Sequence, residues 1–439
     1  MTTQSPDWIA AARLLRRTGF GTTGPRVDAV TGQDWSVYLD RLLNADPEAD
    51  PGARATPMPV VPSVPPYPWK EGEDLSEAQT EWNKQVDQQM LDLAGWWVSR
   101  MAAVHEPIHE KLTLIWHNHF ATSATKVRFS TYMGVQNQKL RTMKLGDFRE
   151  LAYAMLTDAA MLSWLDGKDN VASSPNENLS REFMELFALG HGNGYSETDV
   201  KEGARALTGW TVQRDGRTSM LDENHDGRTK TVLGRSGNMD AAQFCDAVLN
   251  HPYSARYVAG RLWQQLASDT PPTPQTLDRL VTAYGPGRDL NALTKAILTD
   301  PEFVTGTSIN GPVEWLMGVV RTLGFSIDTA ELAYAALDIL TNLGQKPFHP
   351  PDVAGWPRGR AWVSTASLAS QMGAAGQLAN NGDLSTIEDA GVDDRIDAAG
   401  YLIGVGAWSD STVEGLKPFV REPQRLFTVA VNSPEYLTT

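Results

Sequence analysis

The chain has 439 residues and a formal net charge of −15. It is long enough for a sizeable interior, and too acidic for the clustered Lys and Arg that nucleic-acid or anionic-membrane surfaces require. The lone Cys245 excludes an intramolecular disulfide and a cysteine-cluster metal site, no stretch resembles a membrane span, and the 14 tryptophans suit large side chains buried between helices.

The expected fold is mainly α: a multi-helix single body with a Pro-rich extended arm and a small irregular or β-hairpin insertion. Arg16-Arg17 precedes T-G-F-G-T-T-G-P, not the apolar run of a twin-arginine signal, so the expected location is cytoplasmic. Residues 1–45 are read as two helices. One spans 7–19 on Trp8, Ile9, Ala12 and Leu15, ended by Gly19, and the other spans 33–44 on Trp35, Tyr38, Leu39 and Leu42. Residues 46–75 form the arm: Pro47, Pro51, Pro57, Pro59, Pro62, Pro65, Pro66 and Pro68 argue against helix and for a polyproline-type segment. The aromatic V-P-P-Y-P-W lets this arm dock along the body.

Residues 76–210 are the expected central core. Ser76 caps a helix over about 77–105, Pro107 interrupts it, and a new helix carries K-L-T-L-I-W-H-N-H-F. Residues 146–165 are predicted helical again. The stretch 176–190, N-E-N-L-S-R-E-F-M-E-L-F-A-L-G, places Leu179, Phe183, Leu186 and Phe187 on one face and Asn178, Glu182 and Glu185 on the other. Glu177, Arg181 and Glu185, spaced four apart, suit an exposed ion-pair ladder, while Glu182 with Glu185 suits metal or acid–base work. Ser196 to Asp199 is a capping box for a helix ending near Trp210, and its acidic face argues against a DNA-reading helix-turn-helix. Residues 211–240 are a polar insertion with a short hairpin, and 241–439 a helical region. Its helix corners recur at 247–253, 296–303 and 430–436, each with Pro at the start of the next helix.

Four stretches bear on chemistry. His105-Glu106-Pro107-Ile108-His109 matches H-E-x-x-H, but Pro107 separates the two rings that a zinc site needs on one unbroken helix. Glu110 and His117 are seven apart and share a helix face. With Glu182 and Glu185 from a second helix they form a candidate divalent transition-metal site, with His119 as a further ligand or proton shuttle and Asn178 as orienter. The alternative is a buried imidazole hydrogen-bonded within the core. Asp222, Asn224 and Asp226, followed by Gly227, reproduce the first half of a calcium loop, although Leu233 stands where the bidentate Glu belongs. F-H-P-P-D-V-A-G-W-P is a rigid corner, or a pocket wall from which Arg358 or Arg360 meets an anionic or sugar ligand. No phosphate-binding glycine loop or dinucleotide fingerprint is present, so no nucleotide cofactor is expected.

I-W-H-N-H-F at 115–120, N-E-N-L-S-R-E-F-M-E-L, A-R-A-L-T-G-W at 204–210 and P-P-D-V-A-G-W-P at 350–357 together resemble the bacterial family called domain of unknown function 1800. L-L-R-R-T-G-F-G, H-D-G-R-T-K-T-V-L-G and N-S-P-E-Y fit the same pattern. The resemblance implies a mainly helical fold, weight on His117-Asn118-His119 and His225-Asp226, and no particular activity. It also implies export for many relatives, which this N-terminus does not support. Two functions are carried forward: an enzyme, for instance a hydrolase, with a His/carboxylate metal or acid–base centre between two helices, or a non-catalytic helical scaffold or binding protein with a buried structural polar network. The partner of either is an unidentified small molecule or protein.

Overall fold

The computed structural model describes residues 3–68 and 76–439, with no description of the Ser76 side chain. The far end of the arm, 69–75, and the expected capping by Ser76 therefore lie outside the described residues. Helix α1, Pro6–Arg17, starts where the Ser5 side chain accepts the Trp8 N–H at 3.2 Å. Helix α2, Gly24–Val30, falls in a stretch not read as helix from the sequence, and α3, Trp35–Leu43, is capped by Asp34.

The prolines of the arm do not all forbid helix. Pro47 opens a 3-10 turn, Pro47–Ala49, and Pro51 opens α4, Pro51–Ala55, with the Asp46 and Asp50 side chains as caps. Proline in the first turn lacks only an N–H that has no intrahelical partner anyway, and its fixed φ suits the start. Beyond Ala55 the chain is extended and docked, as expected. Val64 N–H donates to Arg214 O at 2.8 Å, and Trp82 Nε1 to Pro65 O at 3.3 Å.

Helix α5, Ser76–Ala103, leads across Pro107 into α6, Ile108–His119. Then come α7, Ala124–Val127, and α8, Ser130–Met143. The predicted 146–165 helix is two, α9, Phe148–Leu156, and α10, Ala159–Trp164. Asp158 divides them, because its carboxylate takes the Ala160 and Met161 N–H groups as a new cap. The 176–190 segment is a single α-turn, α11, Asn178–Glu182, continued by a π-helix, Phe183–Ala188. Helix α12, Glu197–Ala206, has the predicted capping box but ends before Trp210, which opens a strand.

The insertion is two small antiparallel hairpins: β1, Trp210–Val212, with β2, Thr218–Met220, and β3, Lys230–Val232, with β4, Arg235–Gly237. Helices return as α13, Ala241–Leu249, α14, Pro252–Leu266, α15, Pro274–Tyr284, and α16, Leu290–Thr299. They continue as α17, Pro312–Thr322, α18, Ala330–Asn342, and α19, Thr365–Ala379. The chain closes with α20, Ser385–Glu388, α21, Arg395–Leu402, α22, Asp410–Leu416, α23, Pro423–Ala430, and α24, Pro434–Leu437. Pro252 and Pro434 start helices as expected, whereas Pro301 opens only a turn. Among the described residues no helix is long and apolar enough to cross a membrane.

Two apolar clusters fill the interior. One gathers Leu15, Leu42, Trp116, Phe120, Phe148, Phe187 and Trp263; the other gathers Trp97, Trp315, Phe348, Leu426 and Phe427. Helix α6 runs between them, giving Ile115 and Trp116 to the first and Leu114 to the second. Every one of its residues is buried, polar ones included. Its polar groups must therefore find partners inside.

The ends of the described chain are tied to each other. Arg16 donates to Glu435 O at 3.1 Å and to Tyr436 O, with its guanidinium over the Tyr436 ring. Arg17 donates to Leu266, Ala267, Gly306 and Thr439 carbonyls. Burial pulls the two guanidinium pKa values down to about 10 and about 9.

Candidate functional site

Glu110 sits at the start of α6, 2% exposed, where α5 and α8 meet it. Its carboxylate accepts from Trp97 Nε1 at 3.0 Å, Arg100 Nε at 2.9 Å, and both terminal nitrogens of Arg141, one at 2.6 Å. Burial alone would raise its pKa, but Arg141 and Arg100 more than offset this and hold it at about 2. Arg100 also reaches Glu48 and the Ala53 and Thr56 carbonyls, joining the arm to the network. These partners were not anticipated from the sequence; for Trp97 and Arg100 the available signal is their three-residue spacing on α5, which puts both on one face.

His117 lies on the Glu110 face, as the seven-residue spacing predicts, and both meet Trp97. Its ring is walled by Trp97, Phe348 and Trp356 at 5.4–5.5 Å, its Nε2 has no partner, and burial together with nearby His349 lowers its pKa to about 3. His119 points elsewhere, as two adjacent-but-one positions on a helix must. Its Nε2 bonds Phe187 O at 2.9 Å, and burial with the Arg261 charge keeps it neutral, with a pKa of about 3. Between them, Asn118 Oδ1 accepts the Trp356 N–H at 2.7 Å. Gly355, at φ +89°, lies so close to Asn118 that a side chain there would collide with it.

The 176–190 segment does meet α6, through its main chain. A π-turn withdraws carbonyls from the usual i+4 donors, and the protein supplies others: Leu189 N–H reaches back to Met184 O, Tyr257 Oη donates to Leu186 O at 2.6 Å, and His119 satisfies Phe187 O. The Glu185 carboxylate has other partners. Glu185 accepts from Tyr195 Oη at 3.2 Å and pairs with His191 Nδ1 at 2.6 Å, the His191 side chain being 84% exposed. Half-buried Glu182 has its pKa raised by burial and by the Glu185 charge, against Arg181. The expected ladder is broken after its first rung: Arg181 pairs with Glu177 at 2.9 Å and then with Glu197 at 2.7 Å, not with Glu185. The π-turn rotates Glu185 out of the i+4 register. Asn178 donates to Asp166 Oδ2 at 3.3 Å.

Glu110, His117, Glu182 and Glu185 therefore do not assemble as one centre. Among the described residues no group of three or more His, Cys, Asp or Glu is placed to hold a metal ion. His105 precedes α6 while His109 lies within it, its Nε2 bonding Leu42 O at 3.0 Å, so the H-E-x-x-H pattern has no shared helix face. In the calcium-like stretch Asp222 and Asn224 lie on a 3-10 turn, and Asp226 is turned inward onto Arg205 at 2.7 Å and Arg228 at 2.6 Å. Those two guanidiniums hold its carboxyl far below the usual range. Its own N–H donates to Thr208 Oγ1 at 2.8 Å, and His225 Nδ1 meets Thr208 O at 3.0 Å.

A pattern joins these observations. I-W-H-N-H-F docks on A-G-W-P through Asn118 and on the 176–190 segment through His119, and A-R-A-L-T-G-W docks on H-D-G-R through Arg205 and Thr208. L-L-R-R-T-G-F-G docks on N-S-P-E-Y through Arg16. The motif residues recognise one another.

No curated protein and no solved structure matches the chain. Residues 13–438, however, match the family described as protein of unknown function (DUF1800), and on that near-complete span, with its motifs paired as above, the chain belongs to the DUF1800 family.

Proposed function

We propose that this protein is a non-catalytic helical scaffold with a binding role, its interior polar residues being architectural. The observation that carries the reading is Glu110: four donors from Trp97, Arg100 and Arg141 occupy its two oxygens, which leaves no lone pair suited to a metal or a proton-transfer partner. His119 is likewise taken by a carbonyl, and Asp226 by two arginines. Buried hydrogen-bonded networks of this kind fix one packing of the helices around them. The test is elemental analysis of protein purified without an affinity metal column, together with the Glu110→Gln variant. The expected result is metal-free protein and a variant with a lowered melting temperature. One equivalent of a transition metal, lost in Glu110→Gln or His117→Gln, would overturn the reading.

A second reading rests on Glu182, whose raised pKa beside Glu185, exposed His191 and Tyr195 suits an acid–base centre at the surface. It requires turnover of a peptide or glycan substrate that Glu185→Gln abolishes while the fold stays intact.

A further inference from the structure

Helix α14 carries Tyr257, Arg261, Gln264 and Gln265 at i, i+4, i+7 and i+8, a single face. The G-W-P-R-G loop lies over that face. Gly359, at φ +61°, lets the loop backbone rest against the Asp269 carboxylate, where a side chain would stand 3.1 Å from it. Arg358 is thereby directed at α14, and its Nη2 donates to Gln264 Oε1 at 3.2 Å.

What remains unbonded here is of one kind. Arg358 Nη1, Arg261 Nε and Gln265 Nε2 are buried nitrogen donors without a partner. Neither guanidinium has an acid as ion-pair partner among the described residues. Burial lowers the Arg358 pKa and the Arg261 charge lowers it further, while the Asp269 charge and Tyr257 act the other way. The acids that line the adjoining cavity take their hydrogen bonds from other groups than these two guanidiniums. Asp269 accepts from Ile309 N–H at 2.9 Å and Ser308 Oγ at 3.3 Å, while Glu314 accepts from Gly311 N–H at 2.6 Å and pairs with Lys111. Orphaned guanidinium donors on both sides of the Arg358–Gln264 contact cost folding free energy unless an acceptor joins them.

We propose that Arg261 and Arg358 form a site for a small oxyanion, a phosphate or carboxylate group, held in the gap between α14 and the G-W-P-R-G loop. The adjoining cavity, lined by Gln264, Gln265 and Arg358, is narrow, about 50 Å³, which suits one anionic head group and not a large apolar ligand. Planar guanidiniums bind such groups through paired hydrogen bonds, and Arg358 Nη1 is free for one of them. This deepens the scaffold reading by giving its binding role a ligand class.

The test is calorimetric titration of the full chain with inorganic phosphate and, separately, with acetate, at constant ionic strength. The expected result is saturable binding of one of the two at one site per chain, the better binder telling phosphate from carboxylate. Arg261→Gln and Arg358→Gln should each weaken it by roughly tenfold to a hundredfold. Arg256→Gln, on α14 like Arg261, removes a charge paired with Asp278 of α15 and should bind as the parent does. Should Arg358→Gln fail to fold, Arg358→Lys and Arg261→Gln carry the comparison. Absence of saturable heat with either probe, or equal weakening by Arg256→Gln, overturns the proposal. Elemental analysis is unaffected by either outcome, so failure of the anion site and failure of the scaffold reading are separable.

Discussion

Glu110 and Glu185 are both helical glutamates, each pairing with a basic side chain and each touched by an aromatic ring donor. The Glu110 side chain is 3% exposed among two arginines and a tryptophan, whereas that of Glu185 is 25% exposed and faces His191, whose side chain is 84% exposed. Burial separates them. In the interior the pair is desolvated, so removing one partner strands the others; at the surface water replaces whatever is lost. The carboxylate-rich face of 176–190 and the start of α6 therefore carry similar chemistry with very different weight in the fold.

The largest effect should come from acid. His109, His117 and His119 are held neutral by burial, with pKa values of about 4, about 3 and about 3 against 6.5 in the unfolded chain. As pH falls the unfolded chain binds these protons first. The stability they contribute is thus present above 6.5 and is lost progressively below it. Glu110, depressed from 4.5 to about 2, adds a loss in the same direction below 4.5. Circular dichroism should show cooperative unfolding between pH 6.5 and about 4, with His191→Ala leaving that transition in place; a transition that moves with His191 would reverse the comparison.

Next in size is Glu110→Ala, which strands Arg100 and Arg141 and should cost about 3–5 kcal/mol in denaturant melts. A loss below about 1 kcal/mol would mean the network is not what holds α5, α6 and α8 together. His119→Ala leaves the Phe187 carbonyl at the π-turn without its donor and should cost roughly 1–3 kcal/mol, with hydrogen exchange rising locally over 183–190. The smallest effect belongs to Glu185→Gln, within about 0.5 kcal/mol of the parent. A Glu185→Gln variant as unstable as Glu110→Ala would erase the distinction between the two regions.

Helix positions around Trp8, Tyr38, Trp97 and Trp116 were legible because apolar periodicity reports burial of one face. Proline density at 47–55 misled, because proline at N1 and proline in a helix interior look the same in a composition window. The division of 146–165 turned on Asp158 reading as a cap, and the hairpin register depended on pairing partners that periodicity does not name. Its seven-residue spacing from His117 makes Glu110 a candidate metal ligand in the sequence, yet its partners Arg100 and Arg141 come from other helices. Pairing across the fold is set by tertiary packing, to which a single sequence gives little access. The π-turn has no local signature at all, and it is what took Glu185 out of register with Arg181.

The tie between Arg16, Arg17 and the carbonyls of Glu435, Tyr436 and Thr439 has a bearing on how the molecule is made. Synthesis delivers α1 well before those acceptors. Until residues 435–439 have been made, the two guanidiniums lack these carbonyls and α1 cannot seat fully. The nascent body remains ajar along that seam, and arrival of this distant turn is what latches it.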